Sequence, residues 1–293
     1  MLDLLQNTVD GLALGASYSL LALGFTLIFG VMRRMNLSYG PAILFGCYCA
    51  TWTHLNFQAS LLVLALVVVA ATVLAGAYVE RLCFAPHRGG SAVAAMVASF
   101  ALWMQLEELA TLAMPRHIYS FPPLFDGDPL QFAGLSVGRE ALAMLAAAFT
   151  VCVLLHQVLY RSQFGLAVRA AIDNPLAAGL SGIHLGRIFV LVFALASAIG
   201  GLAGFLIVAS HGQVTPMLGM WSTLKGLLAM MLGGLGSLPG AVLGGLALGL
   251  LEAHSQWFLG PQARDLVAYL LLFALLAARP GWMTRWTTTR SAS

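Results

Sequence analysis

Few residues of this sequence have types and spacings that could support chemistry. Glu107 and Glu108 stand side by side within an apolar run, and Glu252 precedes His254 by two residues in another. Ionisable groups inside apolar segments are typical of proton or ion relays, because a charge is costly there unless it has a role. These four residues are therefore the candidates for moving protons or ions.

Other chemistry has less support. The isolated Ser, His and Asp residues show no spacing typical of a nucleophile and its base. The sequence lacks a phosphate loop of the form GxxxxGKS or GxxxxGKT, and its single lysine is Lys225. The cysteines form no CxxC pair and have no histidine at metal-ligand spacing, which is typical of small buried apolar groups: Cys47, Cys49, Cys83 and Cys152. We expect no catalytic centre, metal site or cofactor.

The composition indicates what kind of element must position these residues. Hydrophobic residues make up 60% of the 293 positions and charged residues only 9%, whereas soluble domains carry about 25% charged residues. Continuous apolar runs favour spanning helices, which need roughly 20 residues each, over the alternating strands of a barrel. The runs lie near residues 9–30, 37–55, 59–79, 92–114, 140–160, 188–209, 223–236, 240–258 and 263–280.

These runs predict a single all-α polytopic membrane domain over residues 1–293, with about eight to nine transmembrane segments. The seventh run is too short to span alone, so residues 223–258 are expected to form either a hairpin of short helices or a broken, partly re-entrant element. Short cytoplasmic loops are enriched in Lys and Arg. Ten of the fourteen basic residues share one side if the N-terminus is outside: Arg33, Arg34, Arg81, Arg88, Arg161, Arg169, Arg187, Arg279, Arg285 and Arg290.

This distribution predicts an external N-terminus, a cytoplasmic C-terminus and a periplasmic loop at 115–139. Arg116, Arg139 and Arg264 fall on the other side, together with several carboxylates. The net charge of +3 is thus explained by topology. A nucleic-acid surface would need clustered basic residues on a water-exposed face, and the sequence shows no such cluster.

Two stretches punctuated by Gly and Pro interrupt the apolar pattern. RRMNLSYGPA, residues 33–42, and GGLGSLPGAVLGG, residues 233–245, both contain features that weaken helices. Irregular backbone at membrane depth is tolerated where protein or a water-filled cavity surrounds it, and often marks a transport pathway. A simple turn at the membrane surface is the alternative for the second stretch. The pathway candidates are Asn36, Ser38, Tyr39, Ser237, Pro239 and Gly240.

RSQFGLAVRAAIDNPLAAGLSG, residues 161–182, is the one long stretch that resembles the surface of a soluble protein. Phe164, Val168 and Ile172 share one face of a helix. Asn174 is placed to cap a second helix with Pro175 at its first position, and Gly182 to end it. A helix lying on the lipid surface would carry more lysine. This block is therefore expected to be a docking surface for another protein.

The sequence resembles the permease subunits of branched-chain amino-acid ABC importers, a family that includes urea and short-chain amide permeases. The resemblance covers nearly the whole chain, in family order, through GLALGASYSLLALGFTLIFGVMRRMNLSYGPA, ERLCFAPHRGG, YRSQFGLAVRAAIDNPLAAGLSGI and KGLLAMMLGGLGSLPGAVLGGLALGLLE. The family commonly has Asn-Phe-Ala-His-Gly-Glu after its first helix, where this chain has Asn36-Leu-Ser-Tyr-Gly-Pro.

The resemblance implies that residues 161–187 form the loop that docks onto the ATPase. ABC importers mark this loop with Glu-Ala-Ala, three residues and Gly; Ala177, Ala178 and Gly182 fit, with Leu176 in place of Glu. The coupling candidates are Gly165, Arg169, Asp173, Asn174, Ala177, Ala178 and Gly182.

The same resemblance implies a non-catalytic permease in the bacterial inner membrane. Its partners would be a second, often non-identical permease, two cytoplasmic ATPases and a periplasmic solute-binding protein, with membrane lipid around it and no nucleic acid. The solute would be a branched-chain amino acid or a related small polar molecule. A secondary transporter or channel is the alternative, and it would depend on the buried carboxylates named above. A membrane enzyme is a third possibility.

Overall fold

The computed structural model describes residues 2–87, 90–116, 118–125, 130–132 and 135–278. The helices in this part of the chain are α1 (Leu2–Met32), α2 (Tyr39–Phe57), α3 (Leu61–Val79), α4 (Ala92–Ala113), α5 (Arg139–Arg161), α6 (Gln163–Asp173), α7 (Pro175–Leu180), α8 (Leu185–His211), α9 (Met217–Gly233), α10 (Leu238–Leu259) and α11 (Ala263–Ala278). A π-helical turn, Glu80–Phe84, extends α3.

Two small antiparallel ribbons complete the structure. Strand β1 (Tyr119–Ser120) pairs with β4 (Gln213–Val214), and β2 (Leu130–Phe132) pairs with β3 (Leu135–Val137). The first ribbon ties the loop after α4 to the connection between α8 and α9. The expected all-α membrane architecture is therefore confirmed, with these ribbons as its only strands within the described residues.

Each of the nine apolar runs forms a helix. By length and composition, six of the described helices could cross a membrane: α1, α3 with its π turn, α4, α5, α8 and α10. The apolar helix α9 is shorter, with 17 residues, and begins at Met217, six residues before the expected start of the seventh run. Residues 223–258 thus belong to two helices joined by a four-residue turn. This is a helical hairpin, but α10, with 22 residues, is not one of the short helices that were expected.

Helix α1 lies at the centre of the bundle, where it contacts α5, α8, α9 and α10. Its seam with α10 depends on small residues, because a Cβ added at Gly15 would lie 2.7 Å from Leu246 Cα. Gly249 of α10 in turn faces the backbone of Gly15. Small residues at such positions let helix backbones approach closely, which is how helices associate in lipid. By contrast, α3, α4 and α5 present many exposed apolar side chains, such as Leu66, Leu112 and Phe149.

The connections fall at two ends of the bundle. At the N-terminal end, the Gln6 side chain bonds both backbone groups of Ser136, at 2.8 and 2.9 Å, so the start of α1 meets the 115–139 loop. At the opposite, arginine-rich end, Arg34 donates to Gly90 O at 3.2 Å. A cavity of about 450 Å³ at that end is lined by Arg33, Arg34 and residues of α6, α7 and α8. Arg88, Arg279, Arg285 and Arg290 lie outside the described residues.

Candidate functional site

The stretch between α1 and α2 is packed inside the protein. Asn36, Ser38 and Tyr39 are at most 3% exposed. The Asn36 Oδ1 accepts from Ser38 N at 3.0 Å, Ser38 Oγ donates to Ser99 O, and Tyr39 OH donates to Ala196 O at 3.1 Å. These bonds satisfy the irregular backbone and join α2 to α4 and α8. In this conformation the three pathway candidates contact other residues of the chain and do not face an open channel.

The second Gly-Pro stretch forms the turn between α9 and α10. Ser237 Oγ accepts from Gly240 N at 3.2 Å, and Pro239 lies in the first turn of α10, where its missing amide costs nothing. A Cβ on either Gly233 or Gly240 would collide with the backbone of the other. Pro239 is exposed, whereas Ser237 and Gly240 are half-buried. The stretch is thus a capped turn at the arginine-rich end, and its role in a pathway stays a prediction.

Helices α6 and α7 form the compact block expected from residues 161–182. Ser162 and Asn174 cap the two helices, with Asn174 Oδ1 accepting from Ala177 N at 3.0 Å. Val168 is buried, with Phe164 and Ile172 packed beside it on the same face. Gly182 has a φ of +84° just after α7, so it ends the helix as expected.

The seven coupling candidates divide by their surroundings. Gly165 is buried against the carbonyls of Val158 and Leu159, Arg169 donates to Leu159 O and covers the Tyr160 ring at 5.3 Å, and Ala178 is 4% exposed. These three hold the block onto α5 and α8 and present little surface to a partner. Asp173, Asn174, Ala177 and Gly182 are exposed. The most exposed apolar side chains of the block were not among the candidates: Leu176 and Leu180 are 76% and 84% exposed.

A buried ionic network joins four helices between the middle of the bundle and its N-terminal end. Glu252 of α10 is fully buried; its Oε1 lies 2.5 Å from Lys225 Nζ of α9 and its Oε2 lies 2.8 Å from Arg264 Nε of α11. Tyr18 OH of α1 donates to the same Oε2 at 2.6 Å and accepts from Arg264 Nη2 at 2.6 Å. Lys225 also contacts Asp265 at 2.6 Å. Of these five residues, only Glu252 was a functional candidate from the sequence.

This arrangement changes the interpretation of the relay candidates. Glu252 is held by two cations and a hydroxyl, while His254 Nδ1 lies 2.9 Å from Leu250 O of its own helix. The two residues therefore do not form a relay with each other. Among the described residues, no group of three or more His, Cys, Asp or Glu side chains could hold a metal ion.

Glu107 and Glu108 lie near the end of α4, within six residues of its last residue, Ala113. Glu107 Oε2 accepts from Trp103 Nε1 at 2.5 Å, and Glu108 is exposed. A carboxylate near a helix end costs far less than one at the bilayer centre, where insertion scales give about 2.5–3.5 kcal/mol for acidic and basic side chains.

We predict that Glu107→Gln and Glu108→Gln leave the solute preference of the protein unchanged, because neither side chain belongs to the buried network. Competition of unlabelled solutes against uptake of a labelled one would measure this. A changed order of solute preference in either variant would show that α4 contributes to solute recognition.

The fold is similar to that of a chain in a solved ABC-transporter structure. It matches a solved inward-facing structure of a metal-chelate type ABC transporter with a TM-score of 0.54, over 94% of this chain and 85% of that one. At 17% identity this likeness shows the fold alone.

The sequence comparisons identify the family of the chain more narrowly than the fold does. Residues 7–276 match the family of permease components of branched-chain amino acid transport systems, and the chain belongs to that family. It is 29% identical to the high-affinity branched-chain amino acid permease proteins LivH of Salmonella typhimurium and BraD of Pseudomonas aeruginosa, over 94% of each chain. A partial match, 32% identical over 44% of this chain and 40% of the relative, joins it to the fructose import permease FrcC of Rhizobium meliloti. The resemblance found in the sequence is thus confirmed.

Proposed function

We propose that this chain is the permease of an ATP-driven importer for branched-chain amino acids or related small solutes in a bacterial inner membrane. Eight or nine of its apolar helices cross the membrane, with the N-terminal end outside and the arginine-rich end in the cytoplasm. The chain itself performs no catalysis. It works with a second, non-identical permease, two cytoplasmic ATPases and a periplasmic solute-binding protein, as its family membership and basic-residue distribution support.

The α6–α7 block carries this proposal. It is folded and capped outside the apolar bundle, at the end where the arginines gather, and α7 presents two leucines that no other described residue covers. Exposed apolar groups on a rigid, water-facing element are typical of protein interfaces. A secondary transporter has no need of such a block, so the ATPase is the occupant that we assign to it.

We expect Leu176→Ala/Leu180→Ala to lose the ATPase subunits, because interfaces concentrate their binding energy in a few apolar anchors whose truncation costs roughly 2 kcal/mol or more. Co-purification of the ATPases with the tagged permease measures the loss. Leu176→Met/Leu180→Met, which keeps the apolar volume, serves as the control and should retain them. Normal ATPase recovery with the alanine variant would assign the block to the lipid surface instead.

The pathway assignment of the two Gly-Pro stretches is part of the same proposal. Asn36 and Ser38 are buried in the described conformation and Ser237 is half-buried, so all three would become fully accessible only in another transport state. In a background without the native cysteines, we expect cysteines at these positions to react with small polar thiol reagents more rapidly during ATP turnover than at rest. Cysteines at Leu62 and Leu66, on the exposed apolar face of α3, provide the control. Equal protection of the three positions in all states would make both stretches ordinary packing turns.

A further inference from the structure

A cavity of about 250 Å³ opens beside the ionic network at the N-terminal end of the bundle. Helix α1, the end of α8, the connection containing β4, the start of α9 and the first turn of α11 form its walls. This volume is large enough for a small organic solute.

The polar lining of this cavity is rich in groups that can donate hydrogen bonds. Arg264 supplies a guanidinium, and Gln213, Thr215 and Trp221 supply amide, hydroxyl and indole donors. None of the described lining residues is acidic. His211 also lines the cavity, and the rest of the wall is apolar, from Leu14, Ile207, Val208, Met217 and Leu218. This combination suits a small molecule with one anionic group and an apolar chain.

Arg264 has capacity for a further anion. Its Nε and Nη2 are engaged by Glu252 and Tyr18, while Nη1 has no hydrogen-bond partner among the described residues. The buried Glu252 is shared with Lys225, and the other carboxylate of the network, Asp265, has a side chain that is 60% exposed. Arg264, whose side chain is 27% exposed, thus shares its one carboxylate partner, Glu252, with Lys225. A carboxylate entering the cavity would meet an incompletely neutralised guanidinium, which binds such groups well.

We propose that this cavity is a solute-binding site in the permease itself, and that it selects small carboxylates with an apolar chain through Arg264, Thr215 and Gln213. The inference rests on the proposed import function and deepens it. The site recognises the carboxylate and the aliphatic chain but offers no acidic partner for an ammonium group. A keto acid with the carbon skeleton of an amino acid should therefore bind as the amino acid does, and neutral amides or sugars should not.

Binding of labelled L-leucine to the complete permease–ATPase complex, without its receptor, tests the site in nanodiscs of phosphatidylcholine. We expect 4-methyl-2-oxopentanoate to compete within a few-fold of leucine. Leucinamide, which lacks the carboxylate, should be at least about tenfold weaker, as expected for loss of a hydrogen-bonded charge. Thr215→Val and Gln213→Leu, which leave the ionic network intact, should each weaken leucine binding about tenfold. Thr111→Val changes a residue of α4 outside the cavity, so this variant should leave leucine binding unchanged.

Two results would overturn the site while leaving import in place. The first is a complex that still imports solute with ATP but in which leucinamide displaces leucine as well as unlabelled leucine does. Full retention of leucine binding by both cavity variants in such a complex would count equally. The other is loss of leucine binding in nanodiscs containing phosphatidylglycerol, together with a retained anionic lipid that disappears in Thr215→Val; the occupant would then be a lipid phosphate. A complex that shows no ATP-driven uptake of any solute would instead contradict the proposed function.

Discussion

Glu252→Gln is expected to destabilise the protein more than any other single exchange of a carboxylate for its amide among the described residues. The carboxylate is fully buried and holds Lys225, Arg264 and Tyr18 together across four helices. Removing it leaves Lys225 with Asp265 alone and Arg264 without an anion. Breaking a buried ion pair by removing one partner costs about 3–5 kcal/mol, because an uncompensated charge stays in a desolvated place.

Thermal unfolding of the detergent-purified permease measures this effect. Glu108→Gln, an identical exchange at an exposed position, should leave the midpoint unchanged. Lys225→Met/Glu252→Gln removes one charge of each sign and should recover most of the loss, since neutral replacement of a buried pair is often tolerated. If Glu252→Gln unfolds at the wild-type temperature, or the double variant is no better than the single one, the network does not stabilise the bundle.

Gly182→Val is expected to uncouple ATP hydrolysis from the receptor while the chain still inserts into the membrane. Gly182 has a φ of +84°, and a β-branched residue in this region is strained by about 1–3 kcal/mol. The strain falls on the turn that joins α7 to α8, so it should shift the exposed leucines of α7 relative to the bundle. Receptor-stimulated ATPase activity of the purified complex is the measurement.

Gly179→Val is the matched control for this variant. Gly179 lies three residues earlier on exposed α7, has a helical backbone, and has nothing within 4 Å of an added Cβ. Its variant should keep most of the stimulation. Receptor-stimulated hydrolysis at the wild-type level in Gly182→Val would contradict a coupling role for this turn.

Most helices of this protein could be predicted from the sequence, because their apolar residues face either lipid or the protein core and form continuous apolar runs. The start of α9 was missed because Gly219 and Ser222, which lower the hydropathy of residues 217–222, are buried inside the bundle. The caps of α6 and α7 were predictable because Ser, Asn, Pro and Gly act on neighbouring backbone groups. Local chemistry of this kind is fully present in the sequence.

The ionic network depends on contacts between distant parts of the chain. Tyr18 is 234 positions from Glu252, and no periodicity relates the two. One signal was present: the single lysine lies in an apolar helix, where it needs an acidic partner, and Glu252 is the one acidic residue of α10, the next helix. In the α6–α7 block, the family pattern identified positions but not their burial. Gly165 and Arg169 therefore proved to hold the block in place, while the exposed Leu176 and Leu180 were overlooked.

Solute uptake into proteoliposomes tests the central claim most directly. The complete complex, containing this chain, its partner permease and both ATPases, is supplied with the loaded solute-binding protein outside and either ATP or a non-hydrolysable analogue inside. We expect accumulation of solute against its gradient with ATP alone, and its loss with Leu176→Ala/Leu180→Ala, whether or not a proton gradient is imposed. Accumulation driven by a proton gradient without ATP, and unaffected by the α7 variant, would contradict the account and identify the chain as a secondary transporter.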